Sequence, residues 1–295
     1  MIPFKDNLRC ITRPTATAVL IMINCVFFII EEALLHFGQP YPALVQAFGM
    51  FTPANFTQAF SNAEALAMLV TTCSVFTSMF LHSGIMHILG NMVFLNCFGR
   101  AVEARLGKKQ YVAFYLLAGL AALAGQYLTN PWSPIPFVGA SGAIAGVLSA
   151  YMIFFPKAKI AGLSLELGIL YAPAWSYLLS WVGIQVVSTV FEPAHHGGGV
   201  AYMAHIGGFA FGVMAGIFAM FLPAANDVRY ADGSRTRKRL TLGDIRSMLR
   251  RMSIVLSPFR RLIGFCRRIF SGLRKLLPKR KSRDTRDLPE NVQPS

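Results

Sequence analysis

Charge is scarce in this chain, and acid is scarcer than base. Of 295 residues, 14% are charged and 54% hydrophobic, whereas a soluble domain carries roughly a quarter charged residues. No Asp lies between Asp6 and Asp227, and only nine of the 28 Lys and Arg precede residue 225. This excludes an ordinary soluble domain over the middle of the chain, which reads as lipid-embedded. Cysteines are few. Cys10, Cys25, Cys73, Cys97 and Cys266 are scattered and form no C-x-x-C, which speaks against a disulfide framework or a zinc site. They read as small apolar fillers. No small-residue cleavage site follows the first apolar run, and no Arg- and Ser-rich leader precedes it, so neither a cleavable signal nor a transit peptide is expected.

What is abundant is long apolar sequence. A helix needs about 20 apolar residues to cross roughly 30 Å of hydrocarbon. Six runs qualify as spans: Thr15–Leu35, Ile85–Val102, Gln110–Leu128, Ser141–Phe155, Ala172–Phe191 and Val200–Leu222. The connections alternate in charge. Lys5, Arg9 and Arg13 precede the first span, Arg100, Arg105, Lys108 and Lys109 lie between the second and third, and Lys157 and Lys159 follow the fourth. The stretches 36–84, 129–140 and 192–199 carry no Lys or Arg, so every basic residue falls on one side. The positive-inside rule makes that side the cytoplasm, with both termini on it. The expected fold is an all-α polytopic bundle of six transmembrane helices, divided into a short cytoplasmic segment 1–14, a membrane domain 15–222 and a basic cytoplasmic tail 223–295. The 36–84 stretch mixes Phe48, Phe51, Phe56 and Phe60 with few charges and reads as short helices at the outer interface, near which His36 also falls.

The tail pairs Phe259, Leu262, Ile263, Ile269, Phe270, Leu273 and Leu277 with basic doublets at 260–261, 267–268 and 274–275. Seven-residue spacing puts the doublets on one helical face, the pattern of a basic amphipathic helix on anionic lipid headgroups over 240–278. Pro258 breaks it from the segment before, and the final dozen residues read as disordered. A membrane surface accounts for the charge without nucleic acid.

The fourth run is short. Its fifteen residues give about 22 Å of helix, roughly 8 Å less than the hydrocarbon width. With Lys157 and Lys159 fixing one end, the other lies below the membrane surface. Ser141 sits there, in Gly139-Ala140-Ser141-Gly142, after a loop that Pro131, Pro134 and Pro136 keep non-helical. Non-helical backbone at that depth must line protein or a wet cavity. A serine at a helix N-terminus also faces free N–H groups that favour developing negative charge.

Two other runs carry matching polar groups. In the sixth, His205, Gly208 and Gly212 share a face, and a glycine face seeks another small-residue face such as Gly142, Gly146 and Ala150. That packing brings His205, about 7 Å into its span, toward Ser141, where it can act as general base. In the second, His87 and Asn91 are i, i+4 neighbours, placed to donate to an oxyanion with the Ser141 N–H. His82 lies just outside that helix. No acid completes a triad: Glu192, the nearest on the outer side, sits beside Pro193, and the reading is a Ser–His dyad. A metal site on His82, His87 and His205 lacks a carboxylate or thiolate neighbour, so neither metal nor other cofactor is expected. His195 and His196 read as solvated.

Together these residues resemble the rhomboid family of intramembrane serine proteases over roughly 14–222. The resemblance rests on HSGIMHILGN, GRAVEARLG, GASG and AHIGGFAFG, in that order. It implies that Ser141 is the nucleophile and His205 the general base, and that His87, Asn91 and the Ser141 N–H form the oxyanion hole. His82, Gly139, Gly142 and Gly208 would support them, and the Glu103-x-Arg105 segment would be structural. It also implies substrates that are single-span membrane proteins with helix-destabilising residues near the outer face, in what would be a bacterial inner membrane. Two positions depart from relatives: Cys73-Ser74 stands where many carry Trp-Arg, and Ala145 where some carry a Tyr that stacks on the histidine. His205 must therefore be held in some other way. A silent rhomboid-like binder would typically lack the serine or histidine, and a channel would need polar groups through both leaflets.

Overall fold

The computed structural model describes residues 2–10, 13–37, 40–164, 168–191, 201–234 and 236. The expected amphipathic segment 240–278, the tail end read as disordered, Glu192, His195 and His196 all lie outside these residues.

Six long helices carry the apolar runs: α1 (Thr15–His36), α5 (Ile85–Leu106), α6 (Lys108–Thr129), α7 (Ser141–Phe154), α8 (Ala174–Phe191) and α9 (Tyr202–Ala219). Among the described residues, α1, α5, α6 and α9 are long and apolar enough to cross a membrane. Three short helices, α2 (Tyr41–Leu44), α3 (Pro53–Ser61) and α4 (Ala65–Thr77), and a π-helical turn, Val45–Gly49, fill the connection between α1 and α5. α5 runs four residues beyond its expected end and takes in Glu103 and Arg105. Only Gly107 then separates it from α6, and at φ 86° that corner suits a residue without a Cβ.

The hydropathy pattern predicts no strands, but the described residues include five. β1 (Ile2–Asp6) pairs antiparallel with β3 (Lys159–Ser164), which pairs with β4 (Gly168–Pro173). β2 (Leu8–Cys10) pairs with β5 (Val228–Tyr230). β3 and β4 are short and apolar without alternation, and their N-terminal partner lies some 150 residues away in sequence. No local period reports such pairing. Pro173, at the end of β4, delays the start of α8 to Ala174.

α7 lies at the centre, its residues 142–151 all buried, and packs on α5, α6 and α9. Backbones approach through small residues. A Cβ added at Gly142 or Gly146 would meet Ala122 or Ala118 of α6, and one added at Gly208 or Gly212 would overlap the carbonyl oxygen of Gly142 or Gly146. Such interfaces rely on close van der Waals contact, because lipid tails give apolar helices no reason of their own to associate.

Glu103 and Arg105 tie three helices together. Glu103 accepts hydrogen bonds from the Ala16 N–H (2.9 Å), the Thr17 N–H (2.7 Å) and the Thr17 hydroxyl (2.8 Å). It thus caps the first turn of α1, whose N–H groups have no intrahelical partner. Arg105 donates to Ala219 O and Leu222 O, both at 3.0 Å, and so satisfies carbonyls at the end of α9.

Candidate active site

Ser141 is the first residue of α7, and its N–H belongs to the turn that has no intrahelical acceptor. Its side chain is half-buried. The segment leading into it is fastened by backbone bonds: Gly139 N–H to Ser78 O (2.8 Å), Phe137 N–H to Phe51 O (2.8 Å) and Ala54 N–H to Ser133 O (3.0 Å). The Thr57 hydroxyl adds a bond to Pro131 O (2.7 Å). The short helices between α1 and α5 therefore act as a scaffold for the proline-rich loop.

His205 lies in the first turn of α9 and is 7% exposed. Its Nε2 is 2.8 Å from Ser141 Oγ, within reach for a base to take the hydroxyl proton. The glycine contacts that seat α9 against α7 make this approach possible. A second set seats α9 against α6, where a Cβ at Gly207 would lie 2.7 Å from Ala121 O.

Nδ1 of the same ring is 2.7 Å from Gln185 Oε1 on α8, and the Trp181 ring lies 5.5 Å from the imidazole, tilted by 40°. Sequence reasoning missed both residues. The available signal was Gln185 itself, an amide in the middle of an otherwise apolar run, which is costly unless it meets a partner. Its partner lies on another helix, so spacing within the run does not reveal it.

His87 and Asn91 lie on the first two turns of α5. His87 Nδ1 accepts a hydrogen bond from the Ser83 N–H at 3.4 Å, with the Ser83 hydroxyl 3.0 Å away. A ring nitrogen that accepts from an amide carries no proton, so the His87 proton sits on Nε2. That edge faces Gly139: a Cβ there would lie 2.8 Å from both Cε1 and Nε2, and 3.7 Å from Ser141 Oγ. With φ at 124°, Gly139 is required twice, for its backbone and for the room it leaves His87. Asn91 is buried, and its Nδ2 has no hydrogen-bond partner among the described residues.

His82 stands beside His87, with ring centroids 5.1 Å apart. Its backbone N–H donates to Glu31 Oε2 of α1 at 2.9 Å, and its Nδ1 is 3.2 Å from Phe80 O. Buried Glu31, also absent from the sequence reading, thereby pins the turn that opens α5. Among the described residues, no group of three His, Cys, Asp or Glu side chains is arranged to hold a metal ion.

The Rhomboid domain family matches residues 70–221, just over half of the chain. Mitochondrial rhomboid protein 1 of Saccharomyces cerevisiae is 32% identical over 153 residues, covering 48% of this chain and 40% of its own. The mitochondrial presenilin-associated rhomboid-like protein A of Danio rerio is 31% identical over 143 residues, covering 46% and 34%. The rhomboid protease GluP of Bacillus subtilis is 30% identical over 140 residues, covering 48% and 24%. The chain thus spans about half the length of the curated relatives it matches, or less. The matched region takes in α5 to α9 with His82, His87, Asn91, Ser141, Trp181, Gln185 and His205, and with its apolar helices it makes this chain a multi-pass membrane protein of the rhomboid family.

Proposed function

We propose that this protein is an intramembrane serine endopeptidase that cleaves single-span membrane proteins near the outer face of a bacterial inner membrane. The observation that carries the reading is the 2.8 Å approach of His205 Nε2 to Ser141 Oγ at the start of α7. The Ser141 hydroxyl attacks the scissile carbonyl while His205 takes its proton. The negative charge that develops on the carbonyl oxygen is met by the Ser141 N–H, the His87 Nε2–H and the Asn91 amide. His205 then returns the proton to the leaving amine, and water hydrolyses the acyl-enzyme by the same route in reverse.

The short α7 supports a site below the membrane surface: its 14 residues give about 21 Å of helix. The topology in this reading has six spans, with the basic connections in the cytoplasm and Ser141 opening outward. Backbone already unwound by helix-breaking residues would reach Ser141 most readily, since an intact helix hides its carbonyls in internal hydrogen bonds. The basic tail would rest on anionic headgroups of the cytoplasmic leaflet.

The test uses purified protein and a model single-span substrate in proteoliposomes. Cleavage is expected, with complete loss in Ser141→Ala, and unchanged cleavage by that variant sinks the assignment. A fluorophosphonate should label Ser141 only when His205 is intact. Equal labelling of His205→Ala would remove His205 as the base.

A further inference from the structure

We propose that Gln185 is a positioning residue for His205, a neutral third member that holds the imidazole in the tautomer the reaction requires. The inference rests on the reading of Ser141 and His205 as nucleophile and base.

An amide oxygen can only accept. With Gln185 Oε1 2.7 Å from His205 Nδ1, the proton must sit on Nδ1. Nε2 is then a lone pair, and it is Nε2 that faces Ser141 Oγ. The opposite tautomer would present N–H to the serine and could not take its proton. The amide is itself oriented: Gln185 Nε2 reaches Trp181 O, one turn back on α8, at 3.4 Å, which leaves Oε1 turned to the histidine. Trp181 adds its ring beside the imidazole, tilted by 40° to it. Residues 181 and 185 thus form an i, i+4 pair that holds His205 by a hydrogen bond and a ring contact. Both partners of the bond are buried, Gln185 and His205 at 7% exposure each, so water competes poorly for Nδ1. The pair also answers the absence of an aromatic at Ala145, because the ring beside the imidazole comes from α8 instead of α7.

A carboxylate orienting the histidine would also stabilise the imidazolium formed during attack. A neutral amide fixes the tautomer and contributes less to that charge. Two consequences separate positioning from packing. Gln185→Leu keeps the bulk and removes the acceptor, so kcat should fall about tenfold or more while KM stays within about twofold. Gln185→Glu restores an acceptor at the cost of a buried charge. If Gln185 only packs, Glu is the worse substitution; if it positions, Glu is the better one.

The experiment measures kcat and KM on a single-span substrate, the rate of fluorophosphonate labelling, and the thermal midpoint in detergent. It compares wild type, Gln185→Leu and Gln185→Glu, with Ser141→Ala and His205→Ala alongside. The expected order in kcat and labelling rate is wild type, then Glu, then Leu, with His205 imidazole ¹⁵N shifts showing a loss of Nδ1 protonation in the Leu variant. If Leu does not fold, Gln185→Met, of similar length and without an amide acceptor, replaces it. Wild-type kcat in Leu or Met, or Leu more active than Glu, overturns the proposal while the inactive Ser141 and His205 variants leave the parent reading standing. Activity retained in either of those two variants overturns the parent reading itself.

Discussion

The two ends of α5 treat polar groups in opposite ways. At the end carrying Glu103 and Arg105, the Glu103 carboxylate and Arg105 Nη2 are bonded to other helices: Glu103 accepts three hydrogen bonds from the start of α1, and Nη2 donates two to the end of α9. At the end carrying His87 and Asn91, donors are left available. Asn91 Nδ2 has no partner among the described residues despite burial, and His87 points Nε2 toward Gly139 with its other nitrogen occupied. A buried donor without an acceptor costs roughly 1–3 kcal/mol. Groups bonded from helix to helix hold a fold together, whereas an unsatisfied group kept at that cost is available to something that arrives.

The contrast predicts which variants lose activity and which lose stability. The largest expected effect is at the unsatisfied end. Asn91→Ala should lower kcat by about 10²–10³, the usual loss for one oxyanion donor, and leave the thermal midpoint within about 2 °C. A large drop in midpoint with activity intact would mean that Asn91 is structural and that the two ends do not differ as described.

Next in size is Glu103→Ala, which strips three donors of one acceptor at a buried site. It should cost about 3 kcal/mol of stability and lower the midpoint in detergent, while the folded fraction keeps its fluorophosphonate labelling rate. Reduced labelling per folded molecule would show that the far end tunes the site directly. Smaller again is Gly212→Ala, on the face that joins α9 to α7. Its Cβ would overlap Gly146 O, and the helices should part at a cost of about 1–3 kcal/mol. Because that interface also sets the separation of His205 and Ser141, both midpoint and labelling should fall. A change in midpoint alone would mean that α8, through Gln185, is enough to hold His205 in place.

How far the sequence reveals all this follows from where each signal resides. The long helices are legible because hydropathy is a property of each segment alone. Ser141, His87, Asn91 and His205 are legible because each sits in a local pattern: a short run, an i, i+4 pair, a glycine face. Gln185 and Glu31 are not, since each is a single polar residue whose meaning lies in a partner 20 or 51 residues away. The sheets fail for the same reason, β1 finding its partner across most of the bundle's sequence. Local periodicity reports what an element buries, not which neighbour it meets.

The smallest expected effect lies at the N-terminal strand, which is also tied to the helices by a side-chain bond. Asp6, at the end of β1, accepts from the Tyr151 hydroxyl of α7 at 2.7 Å and from the Leu8 N–H at 3.2 Å. Desolvation raises its pKa above the ordinary carboxylate value of 3.8, against the lowering effect of those two bonds. A carboxyl whose folded pKa lies above its unfolded one binds its proton more tightly when folded. Its stabilising effect is therefore full below pH 3.8 and is lost as pH rises to the raised value. Asn at this position keeps an acceptor for Tyr151 and never carries the charge. Asp6→Asn should therefore change stability near neutral pH by no more than about 1 kcal/mol and flatten the dependence of the midpoint on pH above 3.8. A wild-type midpoint that falls as pH drops through 3.8, with that fall removed in Asp6→Asn, would mean that the charged form, not the acceptor, is what ties β1 to α7.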